Sequence, residues 1–362
     1  MRGLLIAGVL GLMSTIAAAA PLAKSGMPKS GPVLAPPGPP IVIAHRGASA
    51  DRPEHTLASY ALAIEQGTDF IEPDLVATKD GHLVARHENE ISGTTDVASH
   101  PEFAARKRTQ TIDGTAFTGW FTEDFTLAEL QTLFARERLP QLRPANTAFD
   151  GQERIPTLDQ IIALAKAATA RTGRTIGIYP ETKHPSHFRA IGLPLEPPLL
   201  AALKKAGWTT AAAPVFIQSF EVQNLKDLHG QTDVRLIQLI DAGVSGDGIA
   251  YDALVTPTGL AGVATYAAGI GPARDRIIPR TAAGVLGTAT TLVADAHAAG
   301  LQVHPWTFRP ENYFLAVPYR RGTNPQDRGD AEAEIRLFLE TGIDGVFSDL
   351  PAAAVAAMAP AR

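Results

Sequence analysis

The sequence predicts an α/β fold of the parallel (β/α)8 class, a TIM barrel, with a small lobe inserted after the second strand. Three observations lead there. From Ile41 onward, short apolar runs alternate with segments of helical period, about eight times in roughly 320 residues; this suits a closed parallel barrel better than the alternative, an open doubly wound sheet. Ionisable residues follow directly on several of the apolar runs, at the strand ends where such barrels gather their reactive groups. Residues 92–154 break the rhythm with Gly, Pro and charge, and a stretch of that length reads as an insertion rather than a structureless loop.

Residues 1–23 stand outside this pattern. Arg2 gives a short positive end, Leu4 to Met13 an apolar stretch, and Ala17 to Ala20 small residues for cleavage near Ala19, which together read as a secretory signal peptide. No Cys follows, so a lipid anchor is excluded, and the mature chain is expected in a periplasm or secreted, without a stable membrane anchor. Residues 24–40, rich in Pro, Gly and Ser, read as a disordered linker. The barrel is expected over 41–355, with the insertion at about 92–154 and a tail at 356–362.

Within the barrel, Ile41 to Ala44 is a fully apolar strand, and Leu57, Ala61 and Ile64 mark a helix that Gly67 stops. Asp69 to Ala77 and Leu83 to His87 read as extended. Thr126 and Glu129, and again Thr157 and Gln160, have the spacing of a capping box, the second opening a helix to about Ala170. Further strands are expected at Thr175–Tyr179, Pro214–Gln218, Val234–Ile240, Ala267–Gly271, Leu301–Trp306 and Gly345–Ser348. Helices are expected near 197–206, 221–229, 257–268, 284–299 and 331–341, with Gly207, Gly230, Gly300 and Gly342 closing four of them in the left-handed conformation.

Composition narrows the chemistry. The 362 residues carry a net charge of −5, which argues against a nucleic-acid groove. The absence of Cys removes disulfides, thiolate-zinc sites and cysteine nucleophiles. What remains is a set of strand-end residues: His45 and Arg46 after the first strand, Glu72 and Asp74 two apart on the second, His87 after the hairpin-like extension, and Glu181 and Lys183 after the strand at Thr175. Three carboxylates on one rim repel unless a cation joins them, and oxygen donors favour a hard ion, calcium or magnesium. Two histidines can serve as acid and base near neutral pH, and Arg46 and Lys183 provide charge for phosphate oxygens. This combination describes a phosphate-ester hydrolase better than a sugar isomerase.

At these residues the chain resembles the glycerophosphodiester phosphodiesterase family, in its secreted or periplasmic branch. His45-Arg46-Gly47-Ala48-Ser49 with Pro53-Glu54-His55-Thr56-Leu57, then Glu72-Pro73-Asp74-Leu75, Thr78-Lys79-Asp80-Gly81, Glu181-Thr182-Lys183, Val303-His304-Pro305-Trp306-Thr307 and Phe347-Ser348-Asp349 match family segments in order, from about 41 to 352. The resemblance implies a divalent metal, usually calcium, held by Glu72, Asp74 and Glu181, with acid–base roles for His45 and His87. It implies hydrolysis of a small-molecule glycerophosphodiester to sn-glycerol 3-phosphate and an alcohol. Two departures stand out: Glu88 follows His87 where the family commonly has Asp, and Ile91-Ser92-Gly93 stands where it has an Asp-Arg pair.

Other residues read more plainly. His55 is expected to be structural, Glu54 to cap the first helix or line the pocket, and His304 to face the core or the barrel mouth. His82, His100, His184, His187, His229 and His297 are expected in solvent. A phospholipase acting on intact or lyso-lipids is the competing enzyme class; its membrane contact would have to come from Phe117, Trp120, Phe121 and Phe125 in the insertion. A binding module that had lost catalysis should have lost one of the five metal and histidine residues, and all five are present.

Overall fold

The computed structural model describes residues 38–359. The leader at 1–23 and nearly all of the linker at 24–40 lie outside the described residues. Thirteen strands occur among those described: β1 (Ile41–His45), β2 (Phe70–Glu72), β3 (Asp74–Ala77), β4 (Leu83–Ala85), β5 (Arg108–Ile112), β6 (Thr115–Gly119), β7 (Gly177–Ile178), β8 (Glu181–Thr182), β9 (Phe216–Ser219), β10 (Arg235–Ile240), β11 (Gly269–Pro272), β12 (Gln302–Val303) and β13 (Gly345–Ser348).

Ten of them make the expected parallel barrel, while β4 pairs antiparallel with β3 at its edge and β5 and β6 form a separate antiparallel pair. One run of paired strands is β13-β1-β2-β7 and the other β12-β11-β10-β9-β8-β3-β4. They are one sheet interrupted twice by proline, since Pro73 separates β2 from β3 and Pro180 separates β7 from β8. Proline has no N–H to give a ladder, but both keep their carbonyls in use: Pro73 O accepts Glu181 N–H at 2.9 Å and Pro180 O accepts Gln218 N–H at 2.9 Å. The barrel closes between β12 and β13, where Asp344 N–H bonds Val303 O (2.9 Å) and Phe308 N–H bonds Phe347 O (2.8 Å).

The interior is packed solid. Ile43, Phe70, Tyr179, Phe216, Ile237 and Phe347 form an inner cluster, and Tyr179 and Phe216 stack at 4.9 Å between centroids. Gly177 makes room for it: a Cβ there would sit 2.3 Å from the Phe70 ring. His304 belongs to this core rather than to the mouth. It is fully buried, with Nδ1 2.9 Å from the Tyr179 hydroxyl, and burial lowers its pKa to about 4. Because the folded form binds the proton more weakly than the unfolded chain, the stabilisation is complete above about pH 6.5. It is lost as pH falls from there toward 4, by on the order of 3 kcal/mol. Urea midpoints should fall across that window, and less steeply in His304→Leu.

Several boundaries differ from the expected ones. The helix expected at 257–268 is Pro257–Val263, which frees the following residues for β11. The helix expected at 284–299 is Leu292–Ala298, because the preceding residues form a turn closed by Gly287 N–H to Pro279 O at 2.7 Å. Gly207, Gly300 and Gly342 adopt positive φ, but Gly230 does not: its φ is −70°, and the chain continues in a right-handed turn with Thr232 N–H on Leu228 O. Both capping boxes are formed, at Thr126 and Thr157. The last helix, Pro351–Met358, runs into the segment expected as a tail.

Residues 92–154 contain the β5–β6 hairpin, turning at Asp113-Gly114, and the short helix Leu127–Leu130. Phe103, Trp120, Phe125 and Leu130 from this segment join the main core. Of the four aromatics considered for membrane contact, Trp120, Phe121 and Phe125 are buried and Phe117 alone is exposed. Among the described residues, no helix is long and apolar enough to cross a membrane.

Candidate active site at the barrel rim

Strand register builds the site. His45 pairs with Glu72, Asp74 with Glu181, and Glu181 with Gln218, so neighbouring staves deliver these residues side by side at their C-terminal ends. Glu72, Asp74 and Glu181 are all buried, and each offers an oxygen within 4.8 Å of the other two. Glu72 accepts the Arg46 backbone N–H at 2.8 Å and Gln218 Nε2 at 3.1 Å. Arg46 reaches this position at φ 60°, in the left-handed region that a non-glycine residue occupies only when its surroundings hold it there. Asp74 Oδ2 accepts from His55 Nε2 at 2.8 Å, and the other edge of His55 meets the Tyr60 hydroxyl at 2.7 Å. His55 is thus the structural residue expected, orienting Asp74.

The electrostatics of the trio call for a positive guest. Burial and the charges of Asp74 and Glu181 push Glu72 well above the usual carboxylate range, and burial pushes Glu181 up to about 8 against the pull of Lys183. Asp74 resists the same burial: Lys183, His87 and the His55 hydrogen bond hold it well below its ordinary value. Asp74 Oδ1 is buried and has no hydrogen-bond partner among the described residues. An orphaned carboxylate oxygen amid acidic neighbours fits a hard divalent cation, and the donors are all oxygen.

The two histidines flank this trio, each fixed by a carboxylate. His45 Nδ1 lies 2.6 Å from Asp349 Oδ1, and Asp349 Oδ2 is gripped by Arg143 (2.5 Å) and Arg309 (3.1 Å). Against burial, those arginines hold Asp349 ionised, so His45 donates Nδ1–H and keeps its Nε2 lone pair free. Burial, with help from Arg46, lowers His45 to about 4. His87 Nδ1 bonds Glu88, which orients the ring, and Nε2 is 3.4 Å from Lys183 Nζ. Burial, Arg46 and Lys183 lower His87 to about 3. Arg138 joins Glu88 (2.7 Å) to Glu54 (2.6 Å), and Glu54 holds Arg46 Nη1 at 2.9 Å. Glu54 therefore neither caps the helix, which Thr56 caps, nor faces the cavity; buried behind it, it holds Arg46 and Arg138 in place. Lys183 sits 2.9 Å from Glu181.

All seven candidate residues come together. Sequence reasoning did not single out Asp349, Gln218, Arg138, Arg143 or Arg309 as site residues. Asp349 had a signal, the strand-end position after Phe347-Ser348; Arg138 and Arg143 lie in the insertion, where no periodicity marks them. Three histidines expected in solvent are half-buried and paired, His100 with Glu102 (3.0 Å), His184 with Asp113 (2.6 Å) and His187 with Glu123 (3.2 Å).

Comparison with known proteins gives a consistent picture. The model of the glycerophosphoryl diester phosphodiesterase family matches residues 45–353. A glycerophosphodiester phosphodiesterase of Arabidopsis thaliana is 37% identical over 326 residues, covering 86% of this chain and 83% of the relative. One of Haemophilus influenzae is 32% identical over 337 residues, covering 86% and 87%. Among solved structures, a putative glycerophosphoryl diester phosphodiesterase of Silicibacter pomeroyi aligns with TM-score 0.63 at 22% identity, over 89% of this chain and 94% of that one. A phosphodiesterase of Oleispira antarctica, solved with its product sn-glycerol-3-phosphate, aligns with TM-score 0.57 at 23% identity, over 88% and 97%. These structural likenesses support the barrel fold.

Proposed function

The chain belongs to the glycerophosphoryl diester phosphodiesterase family, and on that footing we propose that it hydrolyses glycerophosphodiesters to sn-glycerol 3-phosphate and a free alcohol, using a divalent cation and two histidines. The observation that carries this reading is the buried trio Glu72, Asp74 and Glu181 standing between two carboxylate-anchored histidines. The trio would hold the cation, calcium by preference with magnesium the other hard candidate. When bound, it supplies Lewis-acid polarisation of a phosphoryl oxygen and offsets the acidic cluster.

The protein's own groups do the rest. Arg46 and Lys183, at the mouth of the trio, orient the phosphodiester. His45, neutral at pH 7 with its Nε2 lone pair free, takes the proton from the nucleophile. His87 gives a proton to the departing alcohol: burial, then Arg46 and Lys183, hold its pKa down in the free protein, an anionic phosphodiester offsets those two charges, and Glu88 supports the imidazolium. The nucleophile is water or the neighbouring glycerol hydroxyl; both suit these residues. An alcohol released from a deacylated phospholipid head group connects the reaction to glycerol and lipid metabolism. Export rests on the leader pattern in residues 1–23.

The test uses protein stripped of metal and supplied with glycerophosphocholine. We expect no glycerol 3-phosphate until calcium or magnesium is returned. Full turnover in excess chelator would refute the reading.

A further inference from the structure

We propose that the alcohol end of the substrate lies in a subsite for a cationic head group, a quaternary or primary ammonium, formed by an aromatic wall of Trp306, Phe220 and Tyr251 and by the carboxylates of Glu221, Asp241 and Asp113. The inference deepens the hydrolase reading and rests on it. A cavity of about 530 Å³ begins at Arg46, His87, Glu181 and Lys183 and runs outward past these six residues. Its two ends differ in character. The inner end holds the basic groups suited to a phosphate. Along the wall, Phe220 meets Trp306 edge-on at 5.7 Å and Tyr251 at 6.2 Å between centroids.

Farther out, carboxylates outnumber the cations: Arg309 also lines the cavity, Lys183 Nζ lies 5.6 Å from the Phe220 ring centroid, and Arg276 bonds the backbone carbonyl of Asp241 rather than its carboxylate. Glu221 is buried and accepts the Ser186 N–H and hydroxyl, yet has no ion-pair partner among the described residues; neither does the exposed Asp241. Asp113 pairs with His184 at 2.6 Å. Glu221 and Asp113 converge on Gly246, where a Cβ would lie 3.0 Å from Glu221 Oε1 and 3.1 Å from Asp113 Oδ1. Burial and the Asp113 and Asp247 charges push Glu221 up to about 7, as an uncompensated cluster should. Aromatic faces beside carboxylates are the chemistry that recognises an ammonium group. A zwitterionic diester, phosphate inward and ammonium outward, matches both ends of the cavity, whereas a diester with a neutral alcohol matches only the inner one.

The test compares kcat/KM for glycerophosphocholine with that for the diester of two glycerols, in metal-loaded wild type and in the double variant Glu221→Gln, Asp241→Asn. Wild type should favour the choline diester, and the double variant should lower that ratio about tenfold, chiefly through KM. A wild-type ratio near one, or a ratio that the variant leaves unmoved, would overturn the proposal; equal loss on both substrates is the signature of mere structural damage and counts against it. Calorimetric titration with choline separates this from failure of the hydrolase reading. Choline binding that weakens about tenfold in the variant supports the subsite even if neither diester is cleaved. Cleavage of both diesters without choline binding or preference overturns the subsite alone.

Discussion

Replacing His45 with Gln should lower kcat on glycerophosphocholine by roughly 10²–10⁴-fold, the span of a lost general base, while KM and metal binding change little. The reason lies in how the ring is held. Asp349 accepts the hydrogen bond from Nδ1–H, and Arg143 and Arg309 keep Asp349 ionised, so the lone pair at Nε2 is presented in one orientation. Arg143 is fixed in turn by Glu311 at 2.7 Å. Glutamine keeps polarity and approximate size but cannot accept a proton near neutral pH. Single-turnover kinetics with metal present would measure the change, and a variant retaining full kcat would remove His45 from the chemistry.

Glu72→Gln should have a comparable effect through the cation. Burial and the two adjacent carboxylates favour a protonated Glu72 in the metal-free protein, and Gln resembles that neutral form. The metal-free variant should therefore melt close to metal-free wild type. The two should part when calcium is added. Saturation at about 100 times Kd stabilises wild type by about 2.7 kcal/mol, raising Tm by a few degrees, and the variant should show no such rise. Turnover should fall by roughly 10³-fold, since several kcal/mol of charge stabilisation is lost. A calcium-dependent Tm increase equal to that of wild type would contradict the assignment of Glu72.

Much of this site was legible in the sequence because its parts are local. Glu72 and Asp74 are two apart on one stave, His45 ends an apolar run, and a parallel barrel collects strand ends without further instruction. The pairs that orient them are not local. Asp349 meets Arg143 across 206 residues, and Arg138 reaches Glu54 across 84; no periodicity encodes a contact of that separation. The same limit applies to the fold. Extended residues at Leu301–Trp306 were readable, but only Gln302–Val303 is regular strand, because Pro305 has no N–H and the chain beyond it closes the barrel through isolated bonds. Gly230 had the composition of a left-handed stop, but the turn that follows it goes the other way.

The most direct test is a crystal of the protein grown with manganese, a hard divalent ion with anomalous scattering. A single strong anomalous peak should lie within bonding distance, about 2–2.5 Å, of oxygens from Glu72, Asp74 and Glu181 together. No peak there, in crystals of protein that is fully active with manganese, would contradict the account.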